Sequence, residues 1–75
     1  MKSILVSLQM TEKVKEFVRI TQDYPDEILL KSGRYVVDAK SILGIFSLDH
    51  SQPLTVEVYG EDCDDLIARL KKFEA

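Results

Sequence analysis

The stretch AKSILGIFSL occupies residues 39–48, near the middle of a chain of 75 residues. Ser41 belongs to the residue types that favour the N-cap of a helix, and apolar side chains follow it at helical spacing. Gly44 lies within the run and weakens a helix. The stretch therefore predicts a short helix that begins after Ser41, and the elements on either side of it decide the fold.

A strand and a longer helix are predicted upstream of this stretch. Residues 4–8 alternate in polarity, as a half-buried strand does. Thr11 is expected to cap the helix, with Glu12 favourably placed against its positive end. Pro25 ends the helix because proline disfavours the helical conformation in the residue before it and cannot continue the hydrogen-bond ladder. The apolar stripe of this helix comprises Val14, Phe17, Val18 and Thr21.

A hairpin, a strand and a last helix complete the predicted elements. Apolar runs at residues 27–30 and 35–37 flank a tight turn that contains Gly33, which predicts a β-hairpin. Residues 54–59 alternate as a fourth strand, and Asp62 is expected to cap the last helix. Charged residues that complement the dipole of this helix are Asp64, Asp65, Lys71 and Lys72, and its buried stripe comprises Cys63, Leu66, Ile67, Leu70 and Phe73.

These elements follow one another in the order βαββαβα and predict a single α+β domain over residues 1–75. Short strands and tight connections indicate a four-stranded antiparallel sheet. Each helix has one apolar face, so the three helices are expected to cover one face of the sheet as an open-faced sandwich. The other face is left to meet water or a partner.

The composition is that of an ordinary globular protein, with 45% hydrophobic and 31% charged residues. The net charge of −3 offers no basic surface for nucleic acid or for an anionic membrane. The apolar run near the N-terminus is too short for a signal peptide or a membrane span. Cys63 is the single cysteine, which suits a reducing compartment, and we predict a cytoplasmic protein.

Few residues could support catalysis, and they form no catalytic pattern. His50 is the only histidine and lies beside Asp49 in a loop, so we interpret it as a solvated loop residue. Cys63 lies on an apolar helix stripe and is interpreted as a core residue. The acidic cluster at residues 61–65 lacks the spacing of a calcium loop and is interpreted as helix capping. The sequence predicts no enzyme activity, no metal site and no cofactor.

The central stretch, residues 39–48, resembles the regulatory-serine segment of HPr proteins from Gram-positive bacteria, in which the pattern is K-S-I-[ML]-G-[VLI]-[MF]-S-L. The resemblance continues through residues 55–58 and through Gly60-Glu61-Asp62, which is similar to the G-E-D-E turn before the last helix of the family. Phe17-Val18 matches the F-V of the first family helix. The resemblance implies the HPr fold, an open-faced sandwich with the same order of elements.

The resemblance is weaker at the position of the family's active histidine. In HPr phosphocarriers a G-L-H-T-R-P-A motif precedes the first helix; its histidine accepts phosphate from the sugar phosphotransferase system, and its arginine steadies that phosphate. Alignment on Phe17-Val18 places Met10 at the histidine and Glu12 at the arginine. A thioether cannot form a phosphoramidate, and a carboxylate repels phosphate. The resemblance implies a divergent member, similar in this respect to the catabolite-repression HPr-like protein.

Ser41 is the residue that the resemblance marks as functional. In the family this serine is phosphorylated by HPr kinase, and the product binds a transcriptional regulator of carbon catabolite repression. A phosphate on Ser41 would lie at a helix N-terminus that has free amide donors. The neighbouring residues expected to contact a protein partner are Lys40, Ile42, Leu43 and Phe46.

Several functions remain open from the sequence. The leading one is a non-catalytic HPr-like protein that regulates catabolism or sugar uptake by protein–protein contact and is switched by phosphate on Ser41. The alternatives are a phosphocarrier that uses another group, a degenerate HPr paralogue without phosphorylation, and a small ligand-binding module. An acylphosphatase is disfavoured because that enzyme needs an arginine in the loop after its first strand, where residues 9–12 contain none.

Overall fold

The computed structural model describes residues 1–75 and contains four strands and three α-helices in the order β1-α1-β2-β3-α2-β4-α3. This order confirms the predicted βαββαβα arrangement. The elements are β1 Lys2–Val6, α1 Thr11–Gln22, β2 Glu27–Ser32, β3 Tyr35–Asp38, α2 Ile42–Phe46, β4 Leu54–Tyr59 and α3 Asp64–Leu70, which continues into a 3₁₀ turn at Lys71–Phe73.

The four strands form one antiparallel sheet in the order β1-β4-β2-β3. The register places Val56 of β4 between Ile4 of β1 and Leu30 of β2. Leu30 in turn lies opposite Val37 of β3. Because side chains alternate across a strand, these residues share one face of the sheet, and the helices cover that face.

The helices and the covered face of the sheet enclose one apolar core. Phe17 of α1 is fully buried and meets Phe73 edge to face, with ring centroids 5.8 Å apart. The predicted stripes of both long helices are confirmed, since Val14 and Leu66 are also fully buried. The 19 buried apolar residues form a single cluster. The fold is therefore the α+β open-faced sandwich expected from the sequence.

Ion pairs on the surface join α1 to α3. Lys72 donates to the carboxylate of Glu16, and Arg69 contacts Asp23 at 3.1 Å. The hydrogen bond from Lys72 lowers the pKa of Glu16. All four side chains are exposed to solvent, where such pairs are screened, so they orient the two helices more than they stabilise them.

The first strand differs from its predicted bounds of residues 4–8. It spans Lys2–Val6, and its ladder with β4 ends where Val6 lies opposite Leu54. The residue before Leu54 is Pro53, which has no amide proton to extend the ladder. On the other edge of β1, away from β4, Ser7 donates its amide to the carbonyl of Phe73 at 2.8 Å, so the C-terminal segment pairs with that edge.

Two of the three predicted helix caps are wrong by one residue. Helical bonding in α1 begins at the carbonyl of Met10, which accepts from the amide of Val14 at 3.1 Å, so Thr11 is already inside the helix. The carbonyl of Cys63 begins α3 in the same way, which leaves Asp62 outside it. Neither N-cap residue caps its helix with a side chain. The predicted Ser41 cap is confirmed.

None of the helices has both the length and the apolar composition needed to span a membrane.

Candidate functional site

Ser41 lies at the N-terminus of α2 with its side chain exposed. Its hydroxyl oxygen accepts a hydrogen bond from the amide of Gly44 at 3.2 Å, and its carbonyl accepts from the amide of Ile45 at 3.0 Å. A Cβ at position 44 would lie 3.3 Å from both the Ser41 hydroxyl and Val37, so glycine lets the serine and the sheet approach the helix closely. The Ser41 hydroxyl is thus held in a defined position on the surface.

The segment before Ser41 is anchored to the end of α1. The hydroxyl of Thr21, which is fully buried, donates to the carbonyl of Ala39 at 3.1 Å. The ammonium of Lys40 donates to the carbonyl of Tyr24 at 2.5 Å. Lys40 is half-buried as a result, and its charge is engaged within the chain rather than free on the surface. The position of Ser41 therefore depends on the C-terminus of α1.

Two apolar side chains stand out from α2 beside Ser41. Leu43 is 81% exposed and Phe46 is 43% exposed, whereas Ile45 between them is fully buried. Ile42 is half-buried and packs against the core. Of the four residues expected to contact a partner, Leu43 and Phe46 present the apolar surface, and Ile42 and Lys40 mainly hold the helix in place.

Met10 and Glu12 lie at the start of α1, where the alignment placed the phosphate-accepting site. Met10 is the N-cap residue and is 60% exposed, but its side chain makes no capping hydrogen bond. Glu12 is exposed in the first turn. The Met10 thioether cannot form the phosphoramidate of a histidine, and the Glu12 carboxylate supplies no cation to hold a phosphate.

His50 is not the solvated loop residue that the sequence suggested. Its Nδ1 lies 2.9 Å from the carbonyl oxygen of Leu8, and its Nε2 lies 2.6 Å from that of Ile45. The ring also stacks on Phe46, with centroids 6.0 Å apart and planes 7° from parallel. Because a carbonyl oxygen only accepts, a neutral ring can donate to one of the two oxygens and a protonated ring to both. The His50 ring therefore bridges the backbone carbonyls of Leu8 and Ile45, and we call this bridge the His50 clamp.

This clamp joins the two parts of the site. Leu8 is two residues before Met10, and Ile45 and Phe46 belong to the helix that begins after Ser41. Within the loop that carries His50, Asp49 accepts hydrogen bonds from the Ser51 hydroxyl at 2.6 Å and from the Ser51 amide at 3.0 Å. These bonds lower the pKa of Asp49. His50 thus holds the approach to α1 against the C-terminal end of α2.

The remaining candidate residues do not form a site. Cys63 is buried at 1% exposure, as predicted for a core residue. No group of three or more histidine, cysteine, aspartate or glutamate side chains could hold a metal ion. The acidic residues before and in the first turn of α3 are exposed, and Lys2 forms an ion pair with Asp64.

Replacing His50 with alanine is expected to lower the free energy of unfolding by about 1–3 kcal/mol, because the carbonyl of Leu8 loses its partner and Phe46 loses its stacked ring. Ile45 keeps the hydrogen bond from the Leu48 amide, at 3.1 Å. Urea unfolding followed by circular dichroism measures the change. Gln52→Ala, an exposed change in the same loop, is the control and should alter stability by less than about 0.5 kcal/mol.

Comparisons with known proteins agree on one family. The family model described as the PTS HPr component phosphorylation site matches residues 11–75. A search of the curated proteins finds no match.

Three solved structures of HPr proteins share this fold. HPr-C-His from Thermoanaerobacter tengcongensis is 25% identical over 96% of this chain and 89% of its own, with a TM-score of 0.82. The phosphocarrier protein HPr from Bacillus anthracis is 24% identical over 99% of this chain and 94% of its own, with a TM-score of 0.76. The histidine-containing phosphocarrier protein of a mycoplasma is 14% identical over 95% of this chain and 86% of its own, with a TM-score of 0.75.

Proposed function

The chain belongs to the HPr family of the phosphotransferase system, and from that premise we propose that it acts by protein–protein contact without carrying phosphate on a histidine. HPr proteins are phosphocarriers rather than enzymes, and they work by binding other proteins of that system. In this proposal the protein still binds other proteins but does not pass phosphate on through a histidine. The observation that carries it is the contrast between the start of α1 and the start of α2.

The start of α1 lacks the groups needed for histidine phosphotransfer. Met10 occupies the exposed N-cap, and Glu12 adds a negative charge in the first turn. The one histidine of the chain, His50, has both ring nitrogens within hydrogen-bond distance of backbone carbonyls. Each ring nitrogen faces a carbonyl oxygen, so neither can present a lone pair to an incoming phosphorus atom unless the ring leaves that contact. His50 is therefore a poor substitute for the family's histidine.

The start of α2 keeps a group that can be phosphorylated. The Ser41 hydroxyl is exposed and is fixed by the amide of Gly44. A phosphate there would add about two negative charges beside Leu43 and Phe46, which are the exposed apolar side chains of the same helix. A partner could bind the phosphate through arginine side chains and cover the apolar surface in one contact.

This arrangement supports a regulatory role that the resemblance describes. We propose that HPr kinase phosphorylates Ser41 and that a transcriptional regulator of carbon catabolite repression binds the product. The contact surface consists of Ser41, Leu43 and Phe46, with Ile42 and Lys40 behind it. Such a protein would act in the cytoplasm, where the kinase and the regulator are found in this family. An unphosphorylated, degenerate HPr paralogue is the alternative that the next experiment separates from this one.

Incubation with a bacterial HPr kinase and ATP is expected to add one phosphoryl group to the protein and none to a Ser41→Ala variant, because alanine has no hydroxyl. Intact-mass spectrometry measures the addition. Ser47→Ala is the matched control in the same stretch, since the Ser47 hydroxyl donates to the carbonyl of Gly44 at 2.5 Å and lies at the other end of α2. Ser47→Ala should be phosphorylated like the unchanged protein.

Two outcomes would contradict the proposal. If the unchanged protein gains no phosphate while a conventional HPr does in the same reaction, the degenerate paralogue is the better description. If phosphate is added and is still added to Ser41→Ala, the modified residue lies elsewhere. The proposed phosphate-dependent contact surface on α2 is then wrong.

A further inference from the structure

One edge of the sheet is covered by another segment of the chain, and the other edge is open. The edge of β1 is covered by the C-terminal segment, since the amide of Ser7 donates to the carbonyl of Phe73 at 2.8 Å and the amide of Ala75 donates to that of Leu5 at 3.0 Å. A bridge between Val6 and Glu74 completes the cover. The edge of β3 has no such partner, because β3 pairs only with β2. An uncovered edge is a template for another strand.

The backbone geometry of the hairpin directs hydrogen-bonding groups out of this edge. Gly33 and Arg34 form a two-residue turn in which Gly33 has a φ of +59°. Such a turn is closed by a hydrogen-bonded pair, here Ser32 with Tyr35. Pairs alternate along an antiparallel ladder, so Val36, which lies opposite Lys31, has its amide and carbonyl pointing away from β2. Val36 is thus the centre of the open edge.

The sequence of β3 is complementary to itself when read antiparallel. Residues 34–38 are Arg-Tyr-Val-Val-Asp. A second copy placed about a two-fold axis through Val36 sets Arg34 opposite Asp38 of the other copy, twice, and Tyr35 opposite Val37, twice. The first is an opposite-charge pair and the second an aromatic–β-branched pair, both of which stabilise neighbouring strands.

The two charges involved have no opposite charge paired with them within the chain. Arg34 and Asp38 take part in none of the four ion pairs of the structure, whereas Lys31 on the same face is paired with Glu57 at 2.9 Å. One oxygen of Asp38 accepts from the amide of Lys40 at 2.9 Å, which leaves the second oxygen for a guanidinium. Charge complementarity therefore favours a second copy over an unrelated strand.

The space beside the edge also suits the incoming strand. A groove of about 720 Å³ runs between β3 and the segment after α2, and its walls include Val37, Leu48 and Asp49. Tyr35 is 67% exposed at its side. In the two-fold arrangement the ring of each Tyr35 would lie opposite Val37 of the other copy and cover this groove.

We propose that this protein forms a two-fold homodimer in which β3 pairs antiparallel with β3 of a second copy, centred on Val36, so that the two sheets join into one. The contact is confined to a short strand on each side, which places it among the small, transient interfaces. The dimer does not require phosphate on Ser41, so the proposal does not rest on the proposed regulatory function.

Sedimentation velocity over rising protein concentration, to about 1 mM, is expected to show a dimer of the unchanged protein. Arg34→Asp and Asp38→Arg should each weaken the dimer by about tenfold or more, since each places like charges opposite one another twice. The double variant restores both pairs and should dimerise like the unchanged protein. An equimolar mixture of the two single variants should form a heterodimer. One copy then carries acidic side chains at positions 34 and 38 and the other carries arginines there, so both facing pairs are of opposite charge.

Position 36 provides a second test that does not alter the turn or the Asp38 hydrogen bond. Val36 is half exposed, so charged side chains there should leave the fold intact, which thermal unfolding checks. Val36→Lys and Val36→Glu should each be monomeric, because the two-fold axis sets position 36 against itself, and their mixture should dimerise. A monomeric unchanged protein throughout the concentration range, or a dimer that Arg34→Asp and Val36→Lys leave unweakened, would overturn the proposal.

Discussion

Replacing Phe17 with alanine is expected to lower the free energy of unfolding by about 3–5 kcal/mol. Phe17 is fully buried at the centre of α1, and its ring meets Phe73 edge to face. Removal of the ring leaves a cavity between α1 and the C-terminal turn that the packed neighbours can fill only in part. A domain of this size has a small core, so the loss would consume much of its total stability.

Urea unfolding of Phe17→Ala measures this effect, and Phe46→Ala is the matched control. Both substitutions remove a phenyl ring, but Phe46 is 43% exposed and stacks on His50. We expect Phe46→Ala to cost about 1 kcal/mol or less, because little buried area is lost. Equal losses in the two variants would show that the core does not centre on Phe17.

We expect the unchanged protein to take up no phosphate from phosphoenolpyruvate and the first phosphotransferase enzyme, and the pair of substitutions Met10→His and Glu12→Arg to give a protein that does. Met10 is exposed at the N-cap of α1, so an imidazole there would be accessible to a phosphate donor. A guanidinium at position 12, in place of the carboxylate, would remove a repulsive charge and supply a cation for the phosphate. The product should be an acid-labile phosphoprotein, since a phosphoramidate hydrolyses in acid.

The measurement is intact mass before and after brief acid treatment. Met10→Gln with Glu12→Arg is the matched control, because it carries the same charge change without a nucleophile, and it should gain no phosphate. Acid-labile phosphate on the unchanged protein would contradict the proposed loss of phosphotransfer and would identify a carrier group outside the start of α1. Phosphate added to the Met10→Gln control would show that the arginine alone recruits it to another residue.

Much of the fold could be predicted because its signals are local. The alternation of residues 54–59 and the helical spacing of Val14, Phe17 and Val18 each depend on neighbouring residues, and the structure confirms both elements. Ser41 was recognisable as a cap because serine followed by an apolar helical run is a local pattern. The resemblance of residues 39–48 to the HPr serine segment was equally visible, and the family match supports it.

The helix caps that were predicted wrongly show where local signals end. Thr11 and Asp62 are good capping residues by type, but the helix starts are set by the carbonyls of Met10 and Cys63. Which carbonyl begins a helix depends on how the incoming chain is directed by the rest of the protein, and a preference of about 1 kcal/mol for a capping side chain does not override tertiary packing.

Within the site, His50 shows the same limit of local sequence signals. Its partner Leu8 is 42 residues away along the chain, so no pattern around residue 50 could reveal that contact. The sequence by itself determined the order of elements, their buried faces and the serine before α2, because each follows from side-chain periodicity and capping preference over a few residues. Only the tertiary structure decided the clamp by His50, the cover over the β1 edge and the open edge of β3, because these depend on which distant backbone groups the folded chain brings within hydrogen-bond distance.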